Sequence, residues 1–407
     1  MRLHRSLVHA SIDALKHISN DGQYADKVVA QVLKRDKRWG SHDRKFVAET
    51  VYELVRWKRL YAEIAEVREP FAVPDIWRMF AVWATLRGIA LPDWPEFKGT
   101  PVRRIKGRFD ELSKTRAIRE SIPDWMDQLG LAELGEADWT RELKALNQQA
   151  DLILRVNTLK TTRKQLIDRM WQEHEWQAEA LDGYPDAVRM VQRANVFQTQ
   201  IFKDGWFEVQ DASSQRVAPL LDVHPGMRVI DACAGAGGKT LHLASMMDNK
   251  GQITAMDIHG FKLDQLKLRA RRNGIHNIQC QPIEGTKSIK KWKEKADRIL
   301  IDAPCSGLGV LKRNPDSKWK LQPEFIDQIR RTQAEILEQY ASMLKPGGKM
   351  VYATCSILPS ENQEQVARFL TTEAGKAFQL VEEHPISPSV SGFDGFYMAL
   401  LYKNPNI

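Results

Sequence analysis

The chain has 407 residues, of which 43% are hydrophobic and 28% are charged. This composition excludes a disordered, collagenous or membrane protein, and the length suits about two to four domains. The 60 lysines and arginines outnumber the 52 acidic residues, and the net charge of +8 permits a polyanionic partner but suits an ordinary solvated basic surface equally well.

The chain contains four cysteines, at Cys233, Cys280, Cys305 and Cys355. They are too few and too scattered for a secreted disulfide framework, and no two form the Cys-x-x-Cys pair of a zinc ribbon. No apolar run approaches the roughly 18 residues that span a bilayer. Near the N-terminus, Val8, Ile12 and Leu15 recur at helical spacing, unlike the continuous apolar core of a signal peptide. We therefore expect a cytoplasmic protein with neither a membrane nor a metal partner.

Apolar residues recur at helical spacing from the N-terminus to about residue 118, and no alternating strand pattern of useful length interrupts them. The clearest apolar stripe consists of Phe46, Val47, Val51, Leu54 and Val55. We predict an all-helical domain over residues 1–118, with a proline- and glycine-rich connection at 89–108.

Residues 119–204 have a different pattern, in which short strands and helices are mixed. A short strand is predicted at 152–156, and Thr161 or Thr162 can cap a helix whose apolar face begins at Leu166 and Ile167. Further short strands are predicted at DAVRMV and WFEVQD. We predict a small α/β module here.

Beyond about residue 205, short apolar runs alternate with helical stretches. The runs that end in small or polar residues are RVIDACAG, QITAMDIH, IQCQPIEG, RILIDAPC and KMVYATCS. Such alternation predicts a Rossmann-like α/β domain over 205–407, with a mostly parallel sheet between two layers of helices. The segments FQLVEEH and GFYMALLYK would supply the closing strands.

A glycine-rich loop, in VIDACAGAGGKT, follows the first of these strands and leads into a helix. A nucleotide phosphate loop would require glycine at position 233, where this chain has Cys233, so an NTPase is disfavoured. Asp257 lies about 20 positions further on, at the tip of the next strand, where an acidic residue can bind the ribose of a nucleoside cofactor. The absence of the phosphate-loop glycine at position 233, together with the cysteines at two strand ends, favours S-adenosylmethionine over NAD.

Cys305 and Cys355 each follow an apolar strand directly. Because ligands bind at the carboxyl ends of parallel strands, both thiols should face the crevice of the glycine loop. The chemistry that needs them is methylation of a pyrimidine at carbon 5, in which a thiolate adds to carbon 6 and a second group assists removal of the carbon 5 proton. Asp302 can bind the amino edge of cytosine or the amino group of the cofactor, or simply cap a turn. Cys233 and Cys280 suit structural roles.

Four segments resemble, in order, successive motifs of the Nop/Sun (Fmu) family of RNA cytosine-5 methyltransferases: DACAGAGGKT, AMDIHGFKLDQL, ADRILIDAPCSGLGVLKRNPDSKWK and MVYATCSILPSENQEQV. Upstream, LRVNTLKTT and FEVQDASSQ resemble the small RNA-binding module of that family. More weakly, DRKFVAETVYELVRW resembles the NusB-like domain of its bacterial 16S rRNA enzymes. The resemblance implies an RNA partner, and the NusB-like N-terminus favours ribosomal RNA over tRNA by analogy alone.

The resemblance also implies roles for individual residues. Cys355 would be the nucleophile, Cys305 would assist product release, and Asp302 would lie between the methionine end of the cofactor and the base. S-Adenosyl-L-methionine would lie on Cys233, Ala234, Gly235, Ala236, Gly237, Gly238 and Lys239, with its ribose on Asp257. The sequence departs from the family pattern at Ala236, where proline is expected, and at Glu284, where aspartate is more usual. The resemblance implies that the Glu284 carboxylate binds the adenine region of the cofactor.

Basic and aromatic residues are interleaved in several segments, a pattern typical of surfaces that bind single-stranded RNA. The RNA-contact candidates are Arg155, Lys312, Arg313 and Lys318. An ordinary solvated surface is the alternative for each of them. We expect a monomer. Two alternative functions remain open: the same chemistry on tRNA, and a non-catalytic RNA-binding protein of the same fold, which would predict damage at Cys355 or in the glycine loop.

Overall fold

The computed structural model describes residues 3–405. Its helices are α1 (Arg5–Ser19), α2 (Ala25–Arg35), α3 (Ser41–Arg56), α4 (Lys58–Ala65), α5 (Val73–Leu86), α6 (Val102–Leu112), α7 (Arg116–Arg119), α8 (Asp124–Leu146), α9 (Arg163–His174), α10 (Gln200–Lys203), α11 (Ala212–Gln215), α12 (Val217–Leu220), α13 (Gly238–Met246), α14 (Gly260–Asn273), α15 (Thr286–Lys290), α16 (Ser317–Lys320), α17 (Pro323–Ala341), α18 (Gln363–Thr371) and α19 (Pro388–Ser391). Its strands are β1 (Ile153–Val156), β2 (Ala178–Ala180), β3 (Ala187–Met190), β4 (Phe207–Val209), β5 (Arg228–Asp231), β6 (Gln252–Asp257), β7 (Ile278–Pro282), β8 (Ala296–Asp302), β9 (Leu344–Thr354), β10 (Phe378–Ile386) and β11 (Phe396–Lys403).

The chain forms two compact units. The first contains the residues up to Gln148 together with Leu311–Pro323, and the second contains Gln149–Val310 together with the residues from Glu324 onward. The three predicted domains, 1–118, 119–204 and 205–407, stay a prediction. The two units group α8 and the segment 311–323 with the N-terminal helices.

The first unit is helical, as its apolar periodicity predicts. Val8, Ile12 and Leu15 of α1 are buried in one cluster with the predicted stripe of α3, of which Phe46 is half-buried and the rest is buried. Each helix contributes one apolar face to this cluster, so tertiary packing stabilises helices that are too short to persist alone in water.

The segment 311–323 packs within this helical unit. The indole of Trp319 lies against its apolar cluster, and Nε1 donates a hydrogen bond to the carbonyl of Val55 at 2.7 Å. The guanidinium of Arg56 donates to the carbonyl of Lys312 at 2.9 Å. The segment is thus an integral part of the helical unit although it follows β8 in sequence.

The second unit begins with a four-stranded antiparallel sheet of order β2-β3-β1-β4. Helix α9 packs on it, with Leu166 and Met170 in the same cluster as Leu154 of β1. The N-terminus of α9 is capped as predicted, since Thr162 Oγ1 accepts from the backbone N–H of Gln165 at 3.3 Å.

A seven-stranded sheet of order β10-β11-β9-β8-β5-β6-β7 forms the rest of the second unit. Strands β9, β8, β5, β6 and β7 are parallel, and β11 is antiparallel to both of its neighbours. Helices α13 and α14 cover one face of the sheet, and α17 and α18 cover the other. The predicted mostly parallel, Rossmann-like sheet between two helical layers is confirmed. The carboxyl ends of β5, β6, β8 and β9 therefore lie along one edge, with β5 between β6 and β8.

Within residues 3–405, no helix combines the length and the apolar character needed to cross a membrane.

Trp319 provides a test of how the segment 311–323 packs. Trp319→Ala removes the indole from the helical cluster and leaves the Val55 carbonyl without that donor, so we expect the helical unit to lose about 3 kcal/mol of unfolding free energy. Hydrogen exchange of peptides covering 41–86 should accelerate accordingly. Trp171→Ala is the control, because this side chain is 54% exposed and its loss should cost less than about 0.5 kcal/mol. Unchanged exchange in Trp319→Ala would contradict the packing.

Candidate active site

The glycine loop joins β5 to α13 at the centre of the large sheet. Gly235 and Gly237 have φ angles of 54° and 87°, in the left-handed region that favours glycine. A Cβ atom on Gly237 would lie 1.6 Å from Cδ1 of Leu266, so only glycine allows α14 to approach the loop this closely. Asp257, at the end of β6, accepts hydrogen bonds from the backbone N–H groups of Gly235 at 2.9 Å and His259 at 2.8 Å.

Two arginines brace the same loop from outside. Arg155 of β1 donates from Nη1 to the carbonyl of Gly238 at 2.5 Å, and Arg269 of α14 donates to the carbonyl of Ala236 at 2.7 Å. The buried carboxylate of Glu208 in β4 accepts from Arg269 at 2.9 Å and also pairs with Arg272. The small antiparallel sheet therefore helps to fix the shape of the glycine loop.

An ion pair lies beside the loop. Lys239, in the first turn of α13, places Nζ 2.7 Å from Oδ2 of Asp302, at the carboxyl end of β8. The ammonium also lies 5.1 Å from the ring centroid of Phe396. The Asp302 side chain is 30% exposed, so its carboxylate is oriented by Lys239 and still accessible to a bound molecule.

The two predicted thiols meet at the neighbouring strand ends. Cys305 follows β8, Cys355 follows β9, and their Sγ atoms lie 3.3 Å apart. The pKa of Cys305 is raised well above its usual value, first by the hydrogen bond to Cys355, then by burial and by the charges of Cys355 and Glu361. Cys305 therefore retains its proton at neutral pH and can donate it in a hydrogen bond to the sulfur of Cys355.

Three residues next to the thiols were not predicted from the sequence. Ser306 and Ser356 directly follow the two cysteines, and both of their hydroxyls donate to the buried carboxylate of Glu361. The sequence contains one signal for these residues, the Cys-Ser dipeptide that occurs at two strand ends. Identical dipeptides at neighbouring strand ends indicate that the two serines share a hydrogen-bond partner.

The remaining predicted cofactor positions lie around the same edge. Cys233 is half-buried in the loop, where burial and then the charges of Asp231, Asp302 and Asp257 raise the pKa of its thiol well above the usual value. Glu284 is exposed beyond β7, next to Ile283, whose backbone N–H donates to the carbonyl of Asp257 at 3.0 Å. Cys280 lies within β7, away from the loop, and burial raises its thiol pKa.

The structure buries Arg155, Lys312 and Lys318, and their RNA contacts stay predictions that this conformation does not favour. Their exposed fractions are 3%, 3% and 1%, so none of the three side chains can reach an RNA phosphate from these positions. Lys318 lies within the helical unit, where its Nζ donates to Oδ1 of Asn147 at 3.3 Å and burial lowers its pKa. Arg313 is half-buried, and its RNA contact stays a prediction.

Asp231 ends β5 beneath the glycine loop. Its carboxylate accepts from the hydroxyl of Thr240 at 2.7 Å, and the residue is 1% exposed. Burial raises its pKa from 3.8 to about 7, more than the Thr240 hydrogen bond lowers it.

Family profiles match two stretches of the chain. The profile described as 16S rRNA methyltransferase RsmB/F matches residues 218–402, and a ferredoxin-like domain of RsmF/B-like methyltransferases matches residues 122–197. The ribosomal RNA small subunit methyltransferase B of Yersinia enterocolitica is 36% identical over 341 residues, which cover 79% of this chain and 77% of that protein. The chain belongs to the RsmB/F family. The predicted resemblance to the Nop/Sun family and its bacterial 16S rRNA enzymes is thereby confirmed.

Solved structures agree on the fold. The crystal structure of PH0851 superposes with a TM-score of 0.83 at 24% identity, and the match covers 99% of this chain and 100% of that chain. NSun6 from Pyrococcus horikoshii, solved with SFG, has a TM-score of 0.64 at 20% identity and covers 70% of this chain and 99% of that one. These structures share the Rossmann-like fold of this chain, and its membership of the RsmB/F family makes it a methyltransferase.

The raised pKa of Asp231 predicts a dependence of stability on pH. The unfolded chain releases this proton near pH 3.8 and the folded chain near pH 7, so the unfolding free energy should fall as the pH rises through that interval. Asparagine at this position cannot ionise, so the unfolding free energy of Asp231→Asn should lack this decrease with pH. Its denaturation midpoint, relative to that of the wild type, should rise between pH 5 and pH 8. Asp264→Asn, at an exposed position of α14, should follow the wild type at both pH values. Parallel behaviour of Asp231→Asn and the wild type would contradict the prediction.

Proposed function

We propose that this chain transfers a methyl group from S-adenosylmethionine to carbon 5 of a cytosine in 16S ribosomal RNA, through a covalent bond between Cys355 and the base. The observation that supports this most is the pair of thiols 3.3 Å apart at adjacent strand ends, beside a glycine loop with a buried acidic partner. Membership of the RsmB/F family supports ribosomal RNA as the substrate.

The residues at the strand ends suit S-adenosylmethionine, which supplies an electrophilic methyl group when bound. Gly235 and Gly237 allow a ligand to approach the loop backbone, and Asp257 has a carboxylate at the strand tip for a ribose. Ile258 directly follows it and is 66% exposed, so it offers an apolar surface to an adenine ring. The SFG bound to NSun6 is an analogue of the same cofactor.

The thiols divide the covalent chemistry between them. The Cys355 sulfur adds to carbon 6 of the ring, which makes carbon 5 nucleophilic toward the methyl donor. The Cys305 thiol, which retains its proton, can stabilise the attacking Cys355 thiolate by a hydrogen bond. The resemblance to the Nop/Sun family assigns the nucleophile to Cys355, and the Cys305 sulfur 3.3 Å away is positioned to assist it.

Formation of the adduct would change the state of Cys305. The hydrogen bond and the charge of Cys355 both raise the pKa of Cys305, and both disappear when Cys355 is bonded to carbon. The pKa of Cys305 should then fall, so its thiol can release its proton to solvent. After carbon 5 has taken the methyl group and S-adenosylhomocysteine has left, the Cys305 thiolate can take the proton from carbon 5. The bond between Cys355 and carbon 6 then breaks, its electrons return to sulfur, and the methylated base is released.

Asp302 and Lys239 would orient the base and the cofactor. The Lys239 ammonium fixes one carboxylate oxygen of Asp302 at 2.7 Å, and the second oxygen can accept from the amino group of cytosine or of the cofactor. Such a contact distinguishes cytosine from uracil, which has a carbonyl at that position.

The division of roles predicts opposite effects of two cysteine substitutions. With radiolabelled S-adenosylmethionine and hypomethylated ribosomal RNA, the wild type should form 5-methylcytosine. Cys355→Ala should lose at least about a thousandfold in rate and form no adduct, because the attacking group is gone. Cys305→Ala should accumulate a covalent protein–RNA complex on a denaturing gel, because release is blocked.

Cys280→Ala is the matched control, because this thiol lies within β7. The variant should methylate RNA at the wild-type rate. An adduct from Cys355→Ala would mean that the two roles are reversed. Label on tRNA instead would identify the alternative substrate, and no label on either RNA would favour a binding protein without catalysis.

Asp257 provides a separate test of the cofactor site. Asp257→Asn replaces one of the two acceptor oxygens with a donor and removes the charge, so affinity for S-adenosylmethionine should fall about tenfold or more. Isothermal calorimetry of the full chain would measure this change. Asp264→Asn, on the exposed surface of α14, should bind the cofactor as the wild type does. Equal affinities for all three proteins would exclude Asp257 from the cofactor site.

A further inference from the structure

We propose that Glu361 is a positioning residue that sets the distance between the two thiols by holding both cysteine loops at a single carboxylate. Its catalytic consequence rests on the proposed function, but the positioning itself does not. Glu361 lies between β9 and α18, is fully buried at 0% exposure, and makes its hydrogen bonds to the residues that follow the cysteines.

Four donors converge on this carboxylate. Oε1 accepts from the hydroxyl of Ser306 at 2.5 Å and from that of Ser356 at 2.6 Å. Oε2 accepts from the backbone N–H of Ser306 at 2.8 Å and from the side-chain amide of Gln333 at 3.0 Å. Both loops are thus anchored to the same atom, Oε1, one residue beyond each cysteine, and the two serine oxygens lie 3.3 Å apart.

Further contacts fix the carboxylate and the loops in turn. The amide of Gln333 also donates to the carbonyl of Pro304, next to Cys305, at 2.9 Å. The hydroxyl of Tyr352 donates to the backbone carbonyl of Glu361 at 2.7 Å. Asn362 donates to the carbonyl of Ser356 at 3.0 Å. A buried carboxylate with this many donors has a single orientation, so it can fix the positions of the two loops relative to each other.

Glu361 differs from a charge that acts on the reaction directly. It has no exposed surface, so it cannot touch RNA or cofactor from this position. Its charge contributes to the raised pKa of Cys305, but its contacts with the two cysteine loops are made through Ser306 and Ser356. A displacement of about 1 Å in a reacting group can cost about a hundredfold in rate. The carboxylate should therefore matter for the spacing of the thiols more than for its charge.

Replacement by glutamine separates geometry from charge. A glutamine at this position can accept from the Ser306 N–H and the Gln333 amide through its carbonyl, while its amino group donates to the two serine oxygens, whose hydroxyls can rotate. Glu361→Gln should therefore preserve the spacing of the thiols. Glu361→Ala removes every one of these contacts, and Glu364→Ala, at an exposed position of α18, is the local control.

The spacing can be measured without catalysis. The oxidant diamide takes two electrons and two protons from a pair of thiols, so the Cys305 and Cys355 sulfurs form a disulfide and diamide becomes a hydrazine. This bond requires specific geometry, with sulfur atoms near 2.05 Å and a dihedral angle near 90°. Mass spectrometry of the full chain would give the rate of cross-linking, and alkylation of Cys233 and Cys280 would verify that the rest of the protein is unchanged.

We expect Glu361→Gln and Glu364→Ala to cross-link within about threefold of the wild-type rate, and Glu361→Ala to cross-link at least about tenfold more slowly. If Glu361→Ala does not fold, the double variant Ser306→Ala/Ser356→Ala replaces it, because it retains the carboxylate and removes only the two hydroxyl contacts, and it should be slowed similarly. Wild-type cross-linking in the folded Glu361→Ala protein, or in the serine double variant where Glu361→Ala does not fold, would overturn the proposal.

Partial reactions extend the test to the proposed chemistry. Ser356→Ala should slow formation of the RNA adduct, whereas Ser306→Ala should slow its release, and a merely structural role would lower both in proportion to the folded fraction. Equal loss in both steps for both variants would contradict the positioning role. A wild type that cross-links as expected but makes no 5-methylcytosine would refute the proposed function and leave the positioning role of Glu361 intact.

Discussion

Parallel pairing of β6, β5, β8 and β9 is the constraint on which the site depends. Because all four strands run in one direction, their carboxyl ends place the glycine loop, Asp257, Asp302 and the two cysteines along one edge of the sheet. None of these groups is close to all the others in sequence. The sheet also explains the electrostatics of the edge. Burial of the strand ends raises the pKa of Asp231 and of the Cys233 thiol, and the approach of two strand ends raises the pKa of Cys305, first through its hydrogen bond to Cys355 and then through burial.

Much of this arrangement could be predicted from the sequence, because the spacing of apolar residues and the residue types at the ends of strands and helices determine it. Short apolar runs predicted the strands, and the threonines at 161 and 162 predicted the start of α9. The strand-end positions of Cys305 and Cys355 predicted that both thiols lie in one crevice. Glu361 could not be predicted in this way. It lies in the polar stretch SENQEQ, where a solvated carboxylate is the usual outcome, and its burial follows from the way the loop after β9 folds back under both cysteines.

The burial of three basic residues could not be predicted for a related reason. A lysine or arginine in a polar, charged segment is usually exposed, but here the local sequence does not decide its environment. Arg155 is buried because carbonyl and carboxylate groups from other elements surround it at the glycine loop, and Lys318 because Asn147 supplies an oxygen and Trp319 an aromatic face. The hydrogen-bond partners Gly238 and Asn147 are remote in sequence from Arg155 and Lys318, so only the tertiary structure identifies them.

The packing of the segment 311–323 has a consequence for how this protein can be divided. The chain leaves the Cys305 loop at Val310, contributes Trp319 to the helical unit, and returns at Glu324. The helical unit is therefore joined to the rest of the polypeptide at three junctions, and no single cleavage point separates it. A fragment that begins at residue 149 would still contain this segment, with its indole and its buried lysine deprived of their partners. Removal of the N-terminal helices would therefore alter the surroundings of the segment that directly follows the Cys305 loop.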